Sequence, residues 1–239
     1  MATFVCHEPC PSCGSRDNLG RYSDGSAFCF GCHYTERATT SPFVGERDGK
    51  TQEPGTGNLF QQYDESSNHI HGRGLAWLSS YGITATEALR AGFRWSDSWE
   101  QLLMPLYDGD NNLVCVQAKN FNPKRASKAK YYNIGDKSDS LTTYGNSATL
   151  ILTEDILSAI KVGIKYKGMP LLGTHISRSK LAKVCQGIER LVVWLDEDKW
   201  REARDIADAA KLIGINAKTL LTPKDPKEYN GTEIVQLVG

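Results

Sequence analysis

From residue 149 onward, short apolar runs alternate with amphipathic stretches. "TLILTE" is a continuous apolar run of strand length, and "DILSAIKVGIKYKG" places Ile156, Leu157, Ile160 and Ile164 at helical spacing. The same reading predicts a strand at "MPLLGT", a helix at "SRSKLAKVCQGI", a strong strand at "RLVVWLDED" and a helix at "KWREARDIADAAKLIG" stopped by Gly214. "NAKTLLT" follows as a strand and "PKEYNGTEIVQLVG" as a last short helix. Strands and helices that alternate over short connections predict a mainly parallel sheet covered by helices.

Upstream the rhythm is different. "RGLAWLSSYGITATEALRAGFRW" predicts a helix over 73–80 and a second after Thr84, which has Glu87 three residues on, the spacing of a capping box. "LLMPLYD" and "LVCVQAKNF", separated by "GDNN", predict a hairpin. Residues 36–58 are rich in Thr, Gly, Pro and charge and predict a flexible linker. In the first 35 residues large aliphatics are scarce, with Leu19 alone between Cys10 and Cys32. A core that small predicts a bound ion as the source of much of the folding energy. No internal repeat is visible.

Composition narrows the choice of chemistry. The 239 residues carry 28 Lys and Arg against 28 Asp and Glu, a formal net charge of +0, so any basic surface is local. One such stretch is 119–139, where Lys119, Lys124, Arg125, Lys128, Lys130 and Lys137 stand against Asp136 and Asp139, a net +4 (6 − 2). No apolar run approaches the roughly 20 residues that span a bilayer, and the first ten residues lack a basic-then-apolar secretory pattern. The expectation is a protein of the reducing cytoplasm with no membrane partner.

Five of the seven cysteines crowd the first 32 residues, and Cys10, Cys13, Cys29 and Cys32 are spaced C-x2-C-x15-C-x2-C. A two-residue gap lets both sulfurs of a knuckle turn toward one ion, and two such knuckles close a tetrahedral four-thiolate zinc site. A closed site has no open position, so the zinc would be structural. Cys6 and His7 lie just upstream as competing ligands or bystanders. Around the knuckles stand Arg16, Arg21, Tyr22, Phe28, Phe30, His33 and Tyr34. They suit stacking and phosphate contacts with single-stranded nucleic acid, or else the aromatics form the ribbon's own small core.

A second constellation is acidic. Glu154 ends one predicted strand, Asp196 and Asp198 end another, and "TPKDPKEYN" brings Asp225 and Glu228 after a third. Strand alternation predicts Asp196 and Asp198 on one face with Glu197 turned away. Ligands gather at the carboxyl ends of parallel strands. Oxygen-only clusters there suit Mg²⁺ or Mn²⁺, although acids at strand ends also cap helices.

The order of these parts (a four-cysteine ribbon with "CPSCGS" and "YSDGSAFCFGC", a linker, a basic segment, then Glu and "WLDED") resembles DNA primases of the bacterial and phage class. The likeness is strongest to the primase half of phage helicase-primases. It implies an α/β architecture, with a small zinc-ribbon β domain linked to an α+β domain of the TOPRIM type with a mainly parallel sheet. The implied divisions are 1–35 zinc ribbon, 36–58 linker, 59–145 basic part of an RNA polymerase domain and 146–239 TOPRIM subdomain. It implies that Glu154 acts as base or metal ligand, and that Asp196, Asp198 and Asp225 hold magnesium. Lys119 and Lys130, with Lys137 behind them, would meet nucleoside triphosphates and template, and Gly173 and Ser177 would approach phosphate or metal. Two departures stand out. Asp155 occupies the place of a usual Gly, with Ser158 where an Asp is common. Lys199 and Trp200 precede Arg201, where a small pair with Gly is usual.

The implied activity is synthesis of short RNA primers on single-stranded DNA from ribonucleoside triphosphates, by two-metal nucleotidyl transfer with the ribbon reading the template. The setting would be the cytoplasm of a phage-infected bacterial cell. No G-x-x-x-x-G-K-[ST] occurs, so the motor at any fork would be another protein; the expected partner is a separate replicative helicase or polymerase. A metal-dependent TOPRIM nuclease and a non-catalytic zinc-ribbon DNA-binding protein are the alternative readings.

Overall fold

The structure, a computed structural model, describes residues 3–23, 25–30, 32, 34–36, 59–125 and 130–239. All but Glu36 of the expected linker, and Lys128 of the basic stretch, lie outside the described residues. The chain divides into two compact units, Met1–Gly55 and Thr56–Gly239.

The first unit is an antiparallel sheet in the order β1 (Phe4–Glu8), β2 (Leu19–Tyr22), β3 (Ala27–Cys29) and β4 (Thr35–Glu36). Its core is as small as the sequence predicts: Leu19 and Ala27 are buried with Cys10 and Cys29, and Tyr34 packs against them. Arg21 on β2 pairs with Glu8 of β1 at 2.7 Å and Glu36 of β4 at 2.5 Å, tying the outer strands to the centre.

The larger unit begins with α1 (Gln61–Asp64), α2 (Gly72–Ser80) and α3 (Ala85–Arg90). The capping box is present: the Glu87 amide donates to Thr84 Oγ1 at 3.2 Å, and the Thr84 amide donates to Glu87 Oε2 at 2.8 Å. An antiparallel meander follows, β5 (Arg94–Ser96), β6 (Gln101–Tyr107), β7 (Leu113–Asn120) and β8 (Tyr131–Gly135). The β6–β7 hairpin turns where Asp108 Oδ1 accepts from the amides of Asp110 and Asn112, with Asn111 left-handed at φ 65°. Strand β8 runs through the end of the stretch that reads as a basic segment.

The remainder is β9 (Thr149–Thr153), α4 (Ile156–Gly163), β10 (Lys167–Pro170), α5 (Arg178–Val184), β11 (Arg190–Trp194), α6 (Trp200–Leu212), β12 (Asn216–Thr219) and α7 (Gly231–Val238). The strands form one sheet in the order β10-β9-β11-β12, every pair parallel. The α/β class and parallel sheet expected from the alternation are therefore observed. Leu150, Leu152, Leu191 and Val193 face α5 and α6 through Leu181, Ala203 and Ile206. Ile151, Val192 and Trp194 face Val162 on α4 and Ile234 and Val238 on α7. Burial on both faces is why these strands read as unbroken apolar runs. Helix α4 also packs Ile156, Leu157 and Ile160 against Leu78, Phe93, Leu102 and Met104, so it lies between the two sheets of this unit.

One boundary shifts. Strand β10 is Lys167–Pro170, earlier than "MPLLGT" predicts, and α4 ends at Gly163, leaving Ile164 exposed. A Cβ on Gly168 would lie 2.0 Å from the Ala159 carbonyl oxygen, so the strand passes α4 where only glycine fits. Beyond Pro170 the chain turns out of the sheet through Leu172 at φ 51° and Gly173 at φ 140°. β10 is an edge strand, which tolerates the missing N–H of Pro170.

Candidate active site and metal centre

In the first unit the four expected cysteines converge. Cys10 Sγ lies 3.6 Å from Cys32 Sγ, Cys13 Sγ lies 3.8 Å from Cys29 Sγ, and all four sulfurs are within 4.8 Å of one another. A tetrahedron with Zn–S bonds of about 2.3 Å has an edge of about 3.8 Å, so the donors fit one zinc ion. The first knuckle is shaped by Gly14, left-handed at φ 70°, whose amide donates to the Cys10 carbonyl at 3.0 Å. The second closes where the Cys29 amide donates to Tyr34 O at 2.8 Å. Cys6 and His7 lie on β1 outside this set, as bystanders to it.

The aromatics of the ribbon divide. Tyr34 belongs to the small core. Phe30 is 56% exposed and stands edge-on to Phe28 at 5.2 Å. Phe4, 51% exposed, contacts His7 at 4.9 Å and Tyr22 at 6.2 Å, and His7 approaches Phe30 at 6.4 Å. Gly20 runs beneath, where a Cβ would come within 3.0 Å of the Phe30 ring. An open ring-lined face results, and sequence reasoning missed Phe4 and His7 as part of it because β1 carries no strong strand pattern. Arg21 is engaged by Glu8 and Glu36, Arg16 is exposed, and His33 is outside the described residues.

In the larger unit the parallel sheet reverses its winding between β10-β9 and β9-β11, the kind of switch point at which strand carboxyl ends open a crevice. A cavity of about 330 Å³ lies there. Glu154, Asp155, Asp196, Lys227, Lys130 and Gly173 line it. Trp77 and Tyr81 at α2 and Tyr131 at the start of β8 add an aromatic wall.

Glu154 follows β9 directly, and its Oε2 is buried without a hydrogen-bond partner. Burial, then the charges of Asp196 and Asp155, push its carboxyl above the usual range. Asp196 is raised likewise by burial and then by the charge of Asp225. Two carboxyls held together with raised affinity for protons also suit a shared cation. Oxygen-only donors with one buried oxygen unpartnered fit a hard divalent ion such as Mg²⁺ or Mn²⁺. Among the described residues the acids are not drawn into a set of three within 4.8 Å as the cysteines are.

The loop after β12 is anchored by Thr222, which accepts from the buried Trp194 Nε1 at 2.7 Å and donates to Lys224 O at 2.8 Å. It brings Asp225 and Lys227 to the site. Lys227 Nζ pairs with Asp225 at 2.6 Å and Asp155 at 2.9 Å. Burial opposes its charge, but the two carboxylates outweigh burial and raise its pKa. Asp155 also caps α4, its Oδ1 accepting from the Ser158 amide at 3.0 Å and its Oδ2 from the Ser158 hydroxyl at 2.8 Å. The two departures Asp155 and Ser158 are thus one bonded group. Lys227 was overlooked inside "KDPKEYN", because sequence spacing does not reveal a lysine folded back between two acids.

The other expected residues disperse. Asp198 lies beyond the end of β11, in a 3-10 turn (Glu197–Lys199), where strand alternation no longer applies. It is exposed and pairs with Lys199 at 2.5 Å, a hydrogen bond that lowers its pKa. Lys119 is buried behind the aromatic wall, its ammonium 4.8–5.0 Å from the rings of Trp77, Phe121 and Tyr131. Burial and then the Lys130 charge pull it down to about 8, while the ring faces favour the charged form. Lys137 donates to the Leu172 carbonyl and lies 3.4 Å from where a Cβ on Gly173 would stand. Ser177 caps α5 by accepting from the Lys180 amide at 3.2 Å.

No family model matches the chain, and no curated protein matches it by sequence. The fold nonetheless has close counterparts: it is the fold of the zinc-binding and RNA polymerase domains of bacterial-type primases. The Aquifex aeolicus primase fragment comprising those two domains aligns over 100% of this chain and 80% of its own at TM-score 0.61 and 12% identity. A DnaG primase catalytic domain, solved bound to single-stranded DNA, aligns over 74% of this chain and 76% of its own at TM-score 0.56 and 14% identity. The primase fragment of the bacteriophage T7 primase-helicase aligns over 99% and 98% at TM-score 0.49 and 20% identity. No helix among the described residues is long and apolar enough to cross a membrane.

Proposed function

We propose that the chain is a DNA primase of the bacterial and phage type, joining ribonucleotides into short primers on single-stranded DNA. The observation that carries the proposal is the cavity at the sheet's switch point. There, Glu154 and Asp196 face a lysine and an aromatic wall within a primase fold. A bound Mg²⁺ or Mn²⁺, held by Glu154 and Asp196 with Asp225 adjacent and Asp198 within the same loop, would neutralise phosphates and stabilise attacking and leaving oxygens. Trp77, Tyr81 and Tyr131 offer ring faces to a nucleobase. Lys130 neutralises triphosphate charge, and Lys119 adds a positive charge behind the rings. Lys137 holds the Leu172–Gly173 turn that borders the phosphates.

The zinc at Cys10, Cys13, Cys29 and Cys32 does no chemistry; it shapes the ring-lined face of β1–β3, which stacks the unpaired template bases. The TOPRIM assignment of the parallel sheet, a cytoplasmic setting during phage infection, and a separate helicase or polymerase as partner belong to the same reading.

The test is incubation with single-stranded DNA templates, Mg²⁺ and labelled ribonucleotides. Short RNA oligomers are expected, and Asp196→Asn should abolish them while DNA binding persists. Shortened DNA in place of oligomers would make the chain a nuclease. DNA binding without any product, unaffected by Asp196→Asn, would make it a non-catalytic binding protein.

A further inference from the structure

Lys227 sits in the 3-10 turn Pro226–Glu228, and its side chain is 18% exposed. Its ammonium lies between Asp155 and Asp225 and 5.7 Å from the centre of the Tyr81 ring, at the wall of the acidic cavity. We propose that Lys227 is a resident cation that takes the place of one metal ion, so that this site holds a single divalent ion of its own, on Glu154 and Asp196. The proposal rests on the acidic cavity being the catalytic site.

The geometry carries it in three steps. Asp155 is committed: Oδ1 takes the Ser158 amide, and Oδ2 takes both the Ser158 hydroxyl and the Lys227 ammonium. Asp225 gives Oδ2 to the same ammonium at 2.6 Å. A divalent ion bound by both Asp155 and Asp225 would need the position Lys227 Nζ already fills. An ion placed beside it would stand within a few ångströms of a partly buried positive charge, where repulsion is poorly screened. Glu154 Oε2 remains buried and unpartnered, and among the described residues Asp196 makes no ion pair. These two are left to hold one ion. Lys227 is therefore a positioning residue: it fixes Asp155 and Asp225 and sets the metal count.

The experiment counts Mn²⁺ on the full zinc-loaded chain by electron paramagnetic resonance titration, without nucleotide or DNA. The parent is expected to bind one Mn²⁺. Lys227→Met should bind a second at least about tenfold more tightly than the parent does, the scale on which a nearby unit charge shifts a neighbouring carboxylate. Lys227→Arg, which keeps the charge, should stay at one. A parent that binds two ions of similar affinity overturns the proposal, whatever the variants do. So does a folded Lys227→Met that keeps the parent's count and affinities. Should Lys227→Met fail to melt cooperatively, Lys227→Gln is read against the same criterion. Binding of one Mn²⁺ by a chain that makes no primers would remove the primase reading and leave this one standing; no Mn²⁺ binding at all would overturn both the acidic site and this inference.

Discussion

Asp155 does structural duty that can be divided by two substitutions. Asp155→Ala removes the N-cap bond to α4, about 1 kcal/mol. It leaves the Ser158 hydroxyl, on a fully buried residue, without its acceptor, about another 1 kcal/mol. It also deprives Lys227 of one of two carboxylates, roughly 1 kcal/mol for a partly buried charge-assisted bond. The sum is about 3 kcal/mol. Asp155→Asn keeps an equally good cap through its single oxygen and turns its amide NH2 toward the Ser158 hydroxyl, which can accept from it; it loses the bond to Lys227, about 1 kcal/mol. For a unit the size of Thr56–Gly239 these become melting shifts of about 6–12 °C and about 2–4 °C. All five tryptophans (Trp77, Trp95, Trp99, Trp194 and Trp200) lie in that unit, so thermal melts followed by tryptophan fluorescence report on it without the zinc ribbon. If the two variants melt together, or if neither falls more than about 2 °C below the parent, the Asp155 bonds do not hold α4 and the loop after β12 together, and the reasoning fails.

Zinc content should be one ion per chain by atomic absorption, and Cys13→Ser should lower it to near zero, since the closed set has no spare ligand among Cys6 and His7. Lys119 titrates in the folded chain at about 8, below its unfolded value near 10.4. The folded state therefore releases its proton first, and stability relative to Lys119→Met should rise as pH climbs from about 8 to about 10 and be flat below that window. Urea titrations of both proteins across that range test the sign.

Much of the fold was legible because burial on two faces writes itself into a strand as an unbroken apolar run. "TLILT" and "RLVVW" became β9 and β11 for that reason, and the Thr84–Glu87 box announced α3. The zinc ligands were legible because both members of each knuckle are close in sequence. Strand β1 was not, since it is short and exposed, and the start of β10 was not, since a backbone approach at Gly168 decided it. Alternation misjudged Asp198 because the strand had ended at Trp194 and the chain had already entered a 3-10 turn.

The amino-acid order alone determined the kinds of part present: a thiolate ribbon, an alternation that must fold as a covered parallel sheet, and carboxylates at successive strand tips. Local spacing and hydrophobic periodicity are sufficient for these, because each concerns residues within a turn or a strand of one another. Only the tertiary structure decided which of those carboxylates share a cavity. Glu154 and Asp196 meet there because β9 and β11 are neighbours at the switch point, while Asp198 turns out to solvent. It also decided that Lys227 reaches back 72 residues to Asp155. Electrostatics in a partly buried site depends on distances through space, and chain separation carries no record of them.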